Sequence, residues 1–430
     1  MRTKSKIILL GLLTIMILFI ITSTTAFCAQ LSEKISTWTR LEGAINKSSA
    51  GNDLAIDKDG NSYMVGHIIG KNAAKGFVNK YAVDGSKLWT RKIKNNVKKN
   101  ISAEAVALDS VGNCYVACSN NTKKINSFLV KYNPDGTEKW FKIIKTHHAW
   151  TYIYDLAIDK SDNLYITGFI GSKLDNNDIP NKTDLFITKY NSAGIHQWTR
   201  LLGDAKANTY GIGIAIDNHT NIYVTGETDN SLDGQNIKIP VDGLVVKYDS
   251  NGNKKWARLF GATVDNGESY YAKGKSIALD SHGNCFISGD TNGQIDGKPR
   301  IGYIDSFIIT YTPDGNKIWS KLIGVKETDT FNNGGIVIDS LNNFYLSVVT
   351  DSAGQTNLLD YRNNFLIKYN ANTEEEWRKQ FKIAKGTISI HKINIDKNNF
   401  FYTVGSTYVA LEGEPKIGLE DAFITTYFNK

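Results

Sequence analysis

The chain has 430 residues, 41% of them hydrophobic and 11% aromatic, with a formal net charge of +7. A charge this mild argues against a nucleic-acid partner, which shows itself as a dense basic face. With 37 Gly against 6 Pro, and with 21 Tyr and 18 Phe, the composition favours strands and turns over helices.

The first 28 residues differ from the rest. MRTKSK is basic, IILLGLLTIMILFIIT (7–22) is apolar throughout, and STTAFCAQ supplies small residues. This is the layout of a secretory signal peptide, so residues 1–28 are expected to leave a secreted or cell-surface protein. Membrane contact is expected only through this segment, if it stays as an uncleaved anchor. Arg2, Lys4 and Lys6 sit in it without any acid, so the remainder carries +4. Cys114 and Cys118 lie four apart on one predicted strand, about 13 Å at strand rise. That is beyond the reach of a disulfide. Cys285 holds the same repeat position as Cys114 and reads as a small apolar filler.

From Trp38 onward the chain repeats. Seven copies align on one aspartate: NDLAIDKDGNSYMVG (52–66), EAVALDSVGNCYVAC (104–118), YDLAIDKSDNLYITG (154–168), IGIAIDNHTNIYVTG (212–226), KSIALDSHGNCFISG (275–289), GGIVIDSLNNFYLSV (334–348) and HKINIDKNNFFYTVG (391–405). Each is followed by a third extended run such as SFLVKY (127–132). In the first six copies a turn and a tryptophan run come next, as in NPDGTEKW (133–140). Seven tryptophans recur every 51 to 63 residues. Four strands per copy at that period predict an all-β fold, a seven-bladed β-propeller spanning 35–430 as one domain. The last copy ends at 421–430 without a tryptophan run, and Trp38 precedes the first copy. The Trp38 strand is therefore expected to complete the last blade and close the ring, which removes an exposed sheet edge.

The repeated letters have physical roles. Asp57, Asp109, Asp159, Asp217, Asp280, Asp339 and Asp396 end their strands, where carboxylates bond the N–H groups of a following turn. Arg or Lys stands two residues after each repeated Trp, on the same strand face, as a cation beside an indole. Together, W-x-[RK], A-[IL]-D-x-x-G-N-x-Y-V-x-G and D-x-F-x-x-K-Y-x-x-x-G resemble the SBBP repeat family of bacterial seven-bladed β-propellers. The resemblance covers about residues 36 to 430, with Phe400 replacing the usual Asn and Val348 the usual Gly. It implies a secreted or surface-attached bacterial protein and brings no catalytic motif.

Function is expected where the copies differ. The turns after first and third strands stay tight, while the fourth-to-first and second-to-third connections are long and share one face. On that face KTHHAWTYIY (145–154) places Trp150, the one tryptophan outside the repeat register, among His147, His148, Tyr152 and Tyr154. Aromatic faces with polar neighbours stack on sugars or anchor a protein, so a glycan or protein ligand is expected there on a monomeric chain. The structural alternative makes Trp150 a plug between blades. A second reading puts a metal-dependent hydrolase or lyase at the channel mouth. There the first strands begin with Asn52, Asp53, Glu104, Tyr154, Asp155, Lys275 and His391, of which Asp53, Glu104, Asp155 and His391 are Zn²⁺- or Ca²⁺-type ligands. The loop acids Asp175, Asp178 and Asp184, or Asp229, Asp233 and Asp242, are a further Ca²⁺ candidate, against a reading as solvated turn residues. A structural surface protein without ligand is the third reading. No cofactor is expected on the main reading.

Overall fold

The computed structural model describes residues 37–71, 73–94, 100–120, 127–144, 150–171, 182–203, 207–237, 240–263, 270–351, 362–381 and 387–428. The signal-like segment, Cys28, His147, His148, Asp175 and Asp178 lie outside these residues. The described chain is all β and propeller-like. Each of the first five copies forms a four-stranded antiparallel sheet, with Ser48–Ile56, Ser62–Ile69, Ala74–Tyr81 and Lys87–Lys92 adjacent in chain order in the first. The last two copies share an eight-stranded sheet, joined among the described residues through the parallel pair Gly334↔Lys392. Its final strand, Asp421–Phe428, pairs antiparallel with Thr39–Glu42, in the register Thr39↔Thr425. The N-terminal strand thus sits where its tryptophan predicted.

The cores lie between neighbouring sheets. Tyr63, Val65 and Val78 of the first copy pack with Val106, Cys114 and Val116 of the second in one buried cluster. Cys114, Cys118 and Cys285 are all buried free thiols, which agrees with a filler role.

The repeated aspartates bond as expected. Asp57 Oδ1 accepts the backbone N–H groups of Asp59 at 3.0 Å and Asn61 at 2.9 Å, and Asn61 Nδ2 donates to Asp57 Oδ2. Asp109 accepts Asn113 N, and Asp396 accepts Asn398 N and Phe400 N. In the last copy Phe400 leaves only the backbone half of this arrangement.

The phrase ending in tryptophan explains itself between copies. Trp89 Nε1 donates to Pro134 O at 3.0 Å, and Arg91 Nε donates to Gly136 O, in the turn of the next sheet. Trp38 and Arg40 do the same to Val83 O and Gly85 O, and Trp256 and Arg258 to Pro313 O and Gly315 O. Gly85 has φ +78°, and a Cβ there would lie 2.4 Å from the Trp38 ring. The turn therefore requires glycine both for its left-handed backbone and for the indole above it. The cation lies over the indole in six copies, at 5.5 Å for Arg91 on Trp89. In the remaining copy Lys321 lies over Tyr369 instead, at 4.5 Å, and the turn there carries Thr373 at φ 68° in place of glycine.

The lysine of the Lys-Tyr pair also joins copies, which its sequence context did not reveal. Lys131 is 3% exposed, lies 3.0 Å from Asp109 and over the Tyr115 ring, and donates to Ser192 O of the next sheet. Lys80 repeats this with Asp57, Tyr63 and Pro134 O. In the fifth copy Thr310 replaces the lysine, and the residue paired with it is Phe286 rather than tyrosine.

Candidate functional site

Among the described residues, all seven first strands break register against their second strands at one level. The breaks fall between Gly51 and Asp53, Ala103 and Ala105, Ile153 and Asp155, Gly211 and Gly213, Gly274 and Ser276, Asn332 and Ile336, and Ile390 and Lys392. A bulge inserts an extra residue, interrupts the two-residue alternation and re-aims a side chain. The extra residues are Asn52, Glu104, Tyr154, Ile212, Lys275, the segment Asn333–Gly335, and His391. They line one cavity of about 570 Å³ at the channel mouth. Neither these positions nor the ones flanking the breaks keep a single residue type from copy to copy.

Every residue the sequence placed at the strand beginnings, Asp53 and Asp155 included, lines this cavity. A second cavity of about 430 Å³ adjoins it, lined by Ala55, Ile56, Leu108, Leu279 and Ile338 among others, and the two share Asp53, Asp155, Ser276 and Lys392. These four form a polar collar between the mouth and a second cavity walled largely by aliphatic side chains.

The collar holds neighbouring sheets together. Asp53 Oδ2 accepts Val106 N at 2.8 Å, Asp155 Oδ2 accepts Ile214 N at 3.0 Å, and Ser276 Oγ accepts Ile336 N at 3.2 Å. Lys392 Nζ stands 3.6 Å from Asp53 Oδ1, bringing the last copy to the first. Burial lifts the Asp53 carboxyl to about 6, against the pull of the Lys392 ammonium. His391 lies beside Gly51 O at 2.9 Å, and burial holds its imidazole below the usual range. His67 is lowered by burial too, with Nδ1 3.2 Å from Ser102 Oγ and 3.3 Å from Asn52 Nδ2.

Asp53, Glu104, Asp155 and His391 are therefore brought to one cavity, but each is engaged by the protein. Glu104 Oε1 accepts Tyr152 OH at 2.9 Å and the hydroxyl of Ser119. Among the described residues no three His, Cys, Asp or Glu side chains are arranged to hold a metal ion. Of the loop acids, Asp229 accepts both Asn208 N and Asn208 Nδ2 and Asp233 pairs with Lys254, while buried Asp242 packs against Gly261. Asp184 packs against Gly203 in the same way.

The aromatic candidates separate. Trp150 is half-buried at the start of Trp150–Ile158, paired with Gly171, and is not among the residues lining the mouth. Tyr152 and Tyr154 join a cluster with Phe169 and Tyr210. The ring centroids are 4.8 Å apart for Tyr152–Tyr154, 5.9 Å for Tyr154–Phe169 and 5.1 Å for Phe169–Tyr210. Tyr154 is 38% exposed and reaches the cavity, so it connects the aromatic group to the mouth.

Sequence reasoning missed Lys392, Arg362, Ser389 and the Asn332–Gly335 turn of the cavity wall. The adjacent Gly334 and Gly335, at φ +83° and +82°, were the available signal, since paired left-handed glycines mark an irregular strand. Arg362 had none, because it comes from a third strand's approach.

The comparisons with known proteins concern the fold. A family model for the SBBP β-propeller repeat matches residues 37–72, 197–233 and 255–295. An uncharacterised WD repeat-containing protein, L264 of Acanthamoeba polyphaga mimivirus, is 24% identical over 363 residues, covering 63% of this chain and 26% of that protein. The regulatory protein FlaEY of Caulobacter vibrioides is 25% identical over 180 residues, covering 37% of this chain and 18% of that protein. The chain thus spans about a quarter or less of these relatives. Among solved structures, polysaccharide lyase Uly1 superposes with a TM-score of 0.52 at 10% identity, covering 88% of this chain and 90% of that one. The β-propeller domain of the Trilobed protease from Pyrococcus furiosus gives 0.48 at 12% identity, covering 88% and 95%. Three stretches of the chain thus match the SBBP β-propeller repeat, within an all-β, propeller-like arrangement of four-stranded sheets.

Proposed function

We propose that this chain is a secreted or cell-surface binding module whose seven four-stranded units close into one ring, with a glycan bound at the channel mouth. The bulges carry the reading. Seven repeated strands each deliver a non-repeated side chain to one cavity, and an exposed tyrosine stands at its wall. The cavity has the size of a small-ligand site, with convergent polar groups and an aromatic wall. Such a wall stacks on a sugar ring while Asn52, Glu104 and His391 meet its hydroxyls.

Ring closure is supported by the contacts of the last copy with the first: Lys392 to Asp53, Asn394 Nδ2 to Leu54 O, and Lys397 Nζ to Lys58 O. Thr39–Glu42 runs antiparallel to Asp421–Phe428, and the Trp38 indole bonds the tight 82–86 turn. The described chain therefore enters the fold from the tight-turn side. Purified residues 37–430 are expected to retain a defined subset of a glycan array. Tyr154→Phe, which keeps the packed ring, and Tyr154→Ala are expected to lower that affinity unequally, by a few-fold and by at least tenfold, with the thermal midpoint falling only for the alanine. A well-folded protein that retains no glycan, or that retains only a protein partner, overturns the glycan reading.

A further inference from the structure

The mouth carries unequal charge. Its wall holds three carboxylates, Asp53, Glu104 and Asp155, and three cations, Lys275, Arg362 and Lys392. Two of the cations are already matched by acids outside the wall: Lys275 pairs with Asp290, and Arg362 Nε lies 3.2 Å from Asp351. Lys392 alone remains, shared between Asp53 and Asp155, whose charges both act on it. Glu104 meets only hydroxyl donors, Ser119 and Tyr152, and among the described residues no cation lies within ion-pair distance of it or of Asp155. Counted in pairs, the wall of the mouth is left with about two uncompensated negative charges among the described residues.

A single atom shows where the deficit is felt. Asp53 is 5% exposed and lines both cavities, yet its Oδ1 accepts no hydrogen bond from the described residues. Lys392 Nζ is 3.6 Å away, beyond hydrogen-bond range. A buried carboxylate oxygen met only by one long ion pair among the described residues is incompletely satisfied, and it is relieved by a ligand that brings both a donor and positive charge. Among the described residues no three His, Cys, Asp or Glu side chains converge on this atom to hold a metal ion. An organic ammonium fits, because it donates up to three hydrogen bonds and is attracted to the face of an exposed ring such as Tyr154.

We infer that the mouth selects a ligand bearing a primary ammonium group, an amine-substituted saccharide, with the ammonium seated at Asp53 and Asp155 and the sugar ring against Tyr154. This rests on the mouth being the glycan site. The test is calorimetric titration of residues 37–430 at pH 7.5 with 2-aminoethyl cellobioside and with its N-acetylated derivative, which keeps the sugar and loses the charge. The ammonium form is expected to bind at least tenfold more tightly. Asp53→Asn keeps an acceptor for Val106 N and removes one charge, and is expected to reduce that ratio to within about threefold. If Asp53→Asn fails to fold, Glu104→Gln serves, since its amide oxygen still accepts from Tyr152; the same narrowing is expected. Equal binding of the two compounds overturns the ammonium inference while leaving the glycan reading in place. Binding of neither overturns both.

Discussion

A tryptophan, a cation and a glycine make the smallest unit that explains this molecule. The indole and guanidinium of one sheet each donate to a carbonyl in the next sheet's turn, and the turn glycine lies beneath the ring at positive φ. Gly85→Ala meets both obstacles, the left-handed backbone and the Trp38 ring 2.4 Å from the new Cβ. Its expected cost is about 2 kcal/mol or more, read from the shift in urea midpoint. Thr373 tests the opposite direction. A β-branched residue at φ 68° is strained, so Thr373→Gly is expected to stabilise by about 1 kcal/mol in the same measurement. The glycine pattern was legible because a turn is local. The lysine of the Lys-Tyr pair was not, because its partners come from both its own sheet and the next.

At the scale of the strand, two devices matter: the buried cation that couples sheets and the bulge that opens the mouth. Lys131 and Asp109 are 3% and 2% exposed along their side chains, so removing one leaves an uncompensated buried charge. Lys131→Met is expected to cost about 3 kcal/mol or more in chemical unfolding, and adding Asp109→Asn is expected to recover part of it. The bulge has a different signature. Strict alternation would point Asn52 and Asp53 to opposite faces, whereas the register break brings both to one cavity. Sequence reading named the residues at the strand beginnings because the copies align there. It did not show that they converge, since a bulge leaves no fixed residue type behind: the seven extra positions include Asn, Glu, Tyr, Ile, Lys and His. Trp150 stood out by being off register, yet Tyr154, four residues on, is the side chain that reaches the cavity.

For the whole molecule, the seam between first and last copies sets both stability and its pH dependence. Deleting residues 37–42 bares the edge of Asp421–Phe428. The expected result is a lower thermal midpoint and self-association on gel filtration, because an unpaired strand edge recruits another chain. His391 and His67 lie near the same seam with imidazoles held below the usual 6.5 by burial. The unfolded chain takes up these protons as pH falls through 6.5, and the folded chain only at lower pH, so their contribution to stability is lost on acidification. Asp53 acts oppositely, since its folded value of about 6 lies above the unfolded 3.8 and its contribution grows as pH falls through that window. His391→Asn is therefore expected to lose less stability than wild type between pH 7.5 and pH 5.5, measured as the change in urea midpoint. An equal loss in both proteins contradicts the burial argument for His391.

The sequence by itself determined the repeat, the four-strand unit, the tight turns and the N-terminal strand's place at the end of the chain. Each of these depends on interactions within a few residues or on a count of copies. Only the tertiary structure decided which side chains share a space. Asn52, Glu104, Tyr154, Lys275 and His391 lie tens to hundreds of residues apart, and they meet because successive sheets present their bulges to one cavity. The same arrangement fixes the charge of the mouth. A carboxylate's partner, such as Lys392 for Asp53, is 339 positions away in the chain and 3.6 Å away in space.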